Sequence, residues 1–317
     1  MEAAARRTLG AGGGGLRGAV NSTRRARSGA TMDFWFFLIQ VLNGVQYGLL
    51  LFLVASGLTL IFGIMGIINL AHGAFYMLGA YLAYWLARTT GSLGAAVLLS
   101  LPIAAAIGYG IEALLVRTLY RRDHLDQVLL TYGLILIFNE ATRMIWGADV
   151  HGVAVPAALN WSIRLTDTLS YPVYRLMLSG VCAVLAVGMY LVITRTRFGM
   201  WVRAGASNRD MVAALGINVK LLFGVVFALG AALAGLAGAI STPITSVAPG
   251  MGDSVLILCF VVVVIGGVGS IKGAFLGAML IGLADTFGKV FAPDFASFTV
   301  YGVMAAVLLW KPRGLFS

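Results

Sequence analysis

Charge is what this sequence has least of. Asp, Glu, Lys and Arg make up 11% of its 317 residues, while apolar residues make up 60%. Soluble domains carry roughly 25% charged and 45–50% apolar residues. A soluble enzyme has nowhere to hide that much apolar surface, whereas in lipid the outward face is apolar as well. Cysteine is scarce too: Cys182 and Cys259 each sit in an apolar run, in no paired motif and at no metal-ligand spacing. The three histidines, His72, His124 and His151, lie far apart. There is no GxxxxGKS/T phosphate loop, no HExxH pair and no GxSxG elbow, so the chain is expected to hold no ATP site, no metal and no cofactor of its own, and not to be an enzyme.

The charge that is present is basic, with a net +10 at pH 7. Residues 1–31 contribute six arginines and one glutamate, half of that excess, in a Gly-, Ala- and Ser-rich stretch with nothing to build a core. They are expected to form a disordered basic extension, or the product of a mistaken start, ahead of a membrane domain over 32–317. The remaining Lys and Arg cluster between apolar segments. That is how topology charges are placed, and it differs from a nucleic-acid face.

A span needs about 20 apolar residues. Residues 93–116, 126–146, 175–194, 220–240, 253–270, 273–290 and 296–310 are candidates. Residues 34–88 are apolar almost throughout and read as three further segments, near 34–54, 55–70 and 72–88. The basic clusters at Arg117–Arg122, Arg195–Lys220 and Lys311–Arg313 read as cytoplasmic. Together these give about 8–10 membrane helices, ten being preferred, with both termini inside. The longest outer loop, 147–174, follows Trp146, contains Trp161 and closes with Tyr171, Pro172 and Tyr174, as expected of interfacial aromatics. Pairs such as Ala231/Gly235 and Ala234/Gly238 have helix-packing spacing.

Ionisable residues inside the apolar segments have local explanations. Arg143 follows Glu140 by three residues, Lys289 follows Asp285 by four, Glu112 lies near Arg117, and Asp253 lies at a segment end. A transporter with so few deep charges is expected to take its energy from elsewhere.

Two Gly-rich interruptions stand out. One, Gly63–Phe75, contains Asn69, His72 and Gly73; the other, Gly266–Phe275, contains Gly266, Gly267 and Gly269. Both end in Gly-Ala-Phe. They read either as matched breaks along a substrate path or, around Lys272, as a tight helix–helix turn. The inner loop 194–220 is longer than a hairpin requires, and residues 211–216 read as a short amphipathic helix started by Asn208-Arg209-Asp210. It suits a partner groove or a lipid surface equally well.

Three segments then resemble a known family in order and spacing: GLTLIFGIMGIINLAHGAFYMLGAY (57–81), TRTRFGMWVRAGASNRDMVAALGINV (194–219) and VIGGVGSIKGAFLGA (264–278). They are similar to the first-half signature, coupling loop and second-half signature of the branched-chain amino-acid ABC importer permeases of LivH/LivM type. The likeness covers roughly 33–317. It departs from the family's habit at Ala74, Lys272 and Ser207-Asn208.

The resemblance implies an all-α, type II-like importer permease in a bacterial inner membrane. It implies two cytoplasmic ATPase subunits that bind the ATP, a second permease and a periplasmic binding protein as partners. Its cargo would be branched-chain or other small amino acids, with urea or short amides as the alternative and an ion-coupled secondary transporter as the rival mechanism. Asn69, His72, Gly73, Gly266, Gly267 and Gly269 are the expected path residues. Arg203, Asp210, Ala213, Leu215 and Gly216 are the expected ATPase contact.

Overall fold

The computed structural model describes residues 34–120, 122–165 and 170–316. The extension over 1–31 lies outside them. Residues up to Ile39 form a unit apart from Gln40–Ser317; of it, only the helical turn Phe34–Ile39 is described, with Phe34 and Trp35 edge to face at 5.8 Å.

The described chain is helical almost throughout. Its helices are α1 (Phe34–Met65), α2 (His72–Thr90), α3 (Leu93–Leu114), α4 (His124–Trp146), α5 (Val173–Arg195), α6 (Arg197–Ser207), α7 (Arg209–Ala214), α8 (Val219–Ser241), α9 (Met251–Gly266), α10 (Ile271–Phe291) and α11 (Ala296–Trp310). One small hairpin, β1 (Ser162–Arg164) against β2 (Ser170–Pro172), sits in the 147–172 connection, with Ile163 opposite Tyr171. Among the described residues, seven helical segments are long and apolar enough to cross a membrane, and α9 is a shorter apolar helix. The chain is an all-α, multi-pass membrane protein.

Burial sorts these helices into two layers. In the apolar window of α1, 89% of residues are buried, and in that of α8, 72%; the figure is 22% for α3, α4 and α5 and 6% for the segment ending at Trp310. α1, α2 and α8 are therefore the interior, and the others turn apolar faces outward, as lipid permits. Close approach holds the interior together. A Cβ on Gly79 of α2 would overlap the Gly235 backbone of α8, and one on Gly57 would come within 2.8 Å of the Gly230 carbonyl. Phe75 packs edge-on against Phe227 at 5.9 Å. Small residues at these positions let backbones meet where the hydrophobic effect offers no help.

Residues 34–88 form two helices, which corrects the three-segment reading. α1 continues through Gly57 and Gly63 for 32 residues, about 48 Å at 1.5 Å per residue. Both glycines face other helices, and an unbroken helix keeps every backbone group bonded. The break falls at Gly66, which takes a left-handed φ of +65°. With one crossing where two were expected, the chain ends separate. The Asn43 part of α1 lies near Arg175 at the start of α5, while residues 315–316 after α11 bond back to Ile265 and Gly266 at the far end of α9. The two termini of this unit do not share a side.

α2 begins part-way along α1. His72 Nε2 meets the Val54 carbonyl at 2.9 Å, eleven residues before Met65 and so about 16 Å back along the helix axis. Residues 66–71 cover that distance as irregular chain and turn. α9 starts at the same level: a Cβ on Gly73 would overlap the Gly252 carbonyl. From this meeting point α2 runs one way and α9 the other, so two helix N-termini abut inside the protein.

Candidate functional site

The meeting point contains polar groups without partners. Asn69 and His72 are fully buried, and both polar atoms of the Asn69 amide and Nδ1 of His72 lack a hydrogen-bond partner among the described residues. Ala71 precedes α2 without a side-chain cap, and Gly250 (φ +82°) does the same for α9. An unpaired buried polar group costs about 1–3 kcal/mol. The structure thus places Asn69, His72 and Gly73 together at one break that packs part-way along α1, next to two positive helix ends.

Gly266, Gly267 and Gly269 lie elsewhere. They form the turn between α9 and α10, at the end where residues 315–316 return. Gly267 and Gly269 have φ of +95° and +78°. Gly267 abuts Gly314, and Gly269 abuts Gly63 near the end of α1. The donors are satisfied locally: Gly267 N–H bonds to the Val263 carbonyl at 3.0 Å, and Ser270 Oγ accepts from Gly273 N–H at 3.1 Å. The two interruptions therefore meet α1 at different points, the first at Val54 and the second at Gly63, and of the two readings offered for the second, the tight turn is the one this geometry matches.

The basic end also holds the long inner loop, folded as two helices where one was expected. Thr196 Oγ1 accepts from Gly199 N–H to start α6, Asn208 Oδ1 from Met211 N–H to start α7, and Asn218 Oδ1 from Leu221 N–H to start α8. Each cap satisfies an orphan donor at a helix start. Arg203 donates to the Ile193 carbonyl at the end of α5, so its guanidinium is engaged internally. Val212 is buried, and Asp210, Ala213, Leu215 and Gly216 are exposed; Leu215 is 72% exposed.

Arg209 gives this loop a reach that sequence reasoning missed. It donates to the Met65 carbonyl, the last of α1, and lies over the Phe223 ring at 5.3 Å. Gly66 adjoins the same guanidinium. α7 is thereby tied to the start of the irregular run 66–71, which contains Asn69 and leads into His72.

Close by, Glu112 is fully buried and accepts from Arg117 at 2.8 and 3.2 Å and from the Tyr120 hydroxyl. Burial, and then the Glu112 carboxylate, push the Tyr120 hydroxyl well above its ordinary range, so it stays a donor. Asp285 and Lys289 form the expected pair at 2.6 Å. Glu140 and Arg143 are both exposed and form no ion pair among the described residues, so that expected pairing is corrected. Spacing on one face permits such a bond, but in open surroundings it gains little.

Known proteins bear on this arrangement. Residues 40–308 match the family model described as branched-chain amino acid transport system / permease component. The chain is 31% identical over 300 residues to the high-affinity branched-chain amino acid transport system permease protein BraD of Pseudomonas aeruginosa, covering 89% of this chain and 96% of that one. It is 28% identical over 303 residues to LivH of Escherichia coli, with the same coverages, and 25% identical to LivM of that organism over 82% of this chain and 66% of LivM. No solved structure matches it. The chain belongs to the branched-chain amino acid transport permease family.

Proposed function

We propose that the chain is the permease subunit of an ATP-driven importer for branched-chain or other small amino acids. It works beside a second permease of the same kind, two cytoplasmic ATPase subunits and a periplasmic binding protein, in the inner membrane. The basic end, with Arg117, Arg195, Arg197, Arg209 and Lys311, faces the cytoplasm under the positive-inside rule.

The observation that carries this reading is α7: a capped helix with an exposed apolar side chain, wired through Arg209 to the end of α1. A helix laid on an ATPase needs a docking face and a rigid connection inward. Leu215, Ala213, Gly216 and Asp210 supply the face, and Arg203 steadies the loop behind it. Displacement of α7 pulls on Met65 and Gly66, and through 66–71 on Asn69, His72 and Gly73, where the path opens. The glycines at 266, 267 and 269 act as the packed turn that this motion works against.

Solubilised native membrane provides the test. Pull-down of this chain is expected to recover an ATPase and a second permease, and Leu215→Asp to lose the ATPase while keeping the second permease. Recovery of the chain alone contradicts the reading.

A further inference from the structure

One cavity is left unassigned by the transport reading. It has a volume of ≈ 570 Å³ and opens between α1, the start of α5, the α8–α9 connection, α9 and α10. Its size falls within the ~300–1,000 Å³ of small-molecule sites. Two of its lining residues are bonded to each other, the Tyr76 hydroxyl and Ser241 Oγ at 2.8 Å. Tyr76, which lines the cavity, lies one helical turn beyond His72 on α2. Asn43 and the start of α5 line it, and no residue of α7 does.

Charges of both signs line this one cavity: Arg175, Asp285 and Lys289. Arg175 donates once, from Nη1, to Asn43 Oδ1 at 2.8 Å. A guanidinium has five donors in a fork that fits a carboxylate. Asp285 is 8% exposed, and its partner Lys289 has a side chain 62% exposed. The Lys289 ammonium sits 2.6 Å from Asp285 Oδ2 and 5.5 Å from the centre of the Tyr47 ring. A carboxylate below and an aromatic face beside it make an ammonium subsite. The chain's own lysine fills that subsite from a flexible, solvent-reaching stem. Leu50 and Val255 give the walls apolar surface for an aliphatic side chain.

We propose that this cavity receives the zwitterionic head of a free amino acid on its way to the break. Asp285 and Tyr47 take the substrate ammonium in place of Lys289, and Arg175 takes the carboxylate. The proposal rests on the transport reading above and narrows it to α-amino acids. A neutral amide has no use for two opposite charges, and the Asp285–Lys289 pair, read from sequence as a local ion pair, becomes a place-holder.

The test uses the permease–ATPase assembly in lipid discs, with Ser254→Cys as a reporter on the cavity wall. Cys182 and Cys259 are fully buried and give the unlabelled background. A cationic thiosulfonate reagent is expected to label the reporter, and leucine to slow that labelling. 4-Methylpentanoate, which keeps only the carboxylate, and 3-methylbutylamine, which keeps only the amine, are expected to protect about tenfold less well, as loss of one charge-assisted hydrogen bond predicts. Arg175→Gln is expected to abolish the leucine effect and Arg175→Lys to retain part of it. Lys289→Met, which removes the place-holder, is expected to strengthen leucine protection. A reporter that does not label, labelling indifferent to leucine, equal protection by the singly charged analogues, or weakened protection in Lys289→Met each overturn the proposal. Retained ATP-driven leucine uptake beside such a result leaves the transport reading standing, so the two failures are distinguishable.

Discussion

The two interruptions, Gly63–Phe75 and Gly266–Phe275, look alike in sequence and differ in every physical respect that matters. Each carries glycines and ends in Gly-Ala-Phe. The second closes on itself: Ser270 caps α10, Gly267 and Gly269 supply left-handed backbone, and Gly266 packs against Gly273 so closely that no side chain fits between. The first doubles back about 16 Å along α1, starts α2 without a side-chain cap and leaves Asn69 buried and unpaired. Only the first is tied, through Arg209 and Met65, to α7. The comparison separates a glycine that permits contact from a break that keeps polar groups waiting at depth. Stability belongs to the one, and the cost of unpaired groups to the other.

The largest effect expected from this contrast is at Gly273. Gly273→Val forces a branched side chain into the Gly266 backbone and is expected to cost on the order of 3 kcal/mol, read as a lower thermal midpoint and a lower yield from the membrane. An unchanged midpoint would show that the turn has slack. The next effect has the opposite sign. Asn69→Leu removes two unpaired polar atoms from a buried site while keeping the number and branching of side-chain heavy atoms. It is expected to leave stability unchanged or raise it by about 1–2 kcal/mol while lowering uptake by the assembled importer. Destabilisation by this variant would mean that Asn69 finds partners in the assembly and that the break is structural. The smallest effect is at the cap. Ser270→Ala is expected to cost about 1 kcal/mol, measured by chemical denaturation, with uptake per folded molecule unaltered.

Much of the fold was legible because lipid imposes one strong rule on sequence. Seven of the segments read from hydropathy, from 93–116 to 296–310, correspond to α3, α4, α5, α8, α9, α10 and α11 within a few residues. Hydropathy failed over 34–88 because it registers how apolar a stretch is and carries no information on depth. Gly63 read as the start of a break, yet Gly57 and Gly63 are contacts that let α1 run unbroken past α8 and the 266–270 turn. Asn69 and His72 were visible as polar residues in an apolar run, and Leu215 and Gly216 as part of a short loop helix. The partners that give the site its wiring were invisible for a simpler reason. Arg209 reaches Met65 across 144 positions, Arg175 reaches Asn43 across 132, and Tyr76 reaches Ser241 across 165. No local pattern encodes such pairs. Charge of either sign near α5 and α10 was readable, but its convergence on one cavity was not.

Uptake of labelled leucine into liposomes tests the central claim most directly, with the complete assembly compared against this chain alone. The account predicts uptake only from the complete assembly, only with ATP supplied at the α7 side, and none from the chain by itself under any ion gradient. Uptake by the chain alone, driven by a proton or sodium gradient and indifferent to ATP, would contradict it.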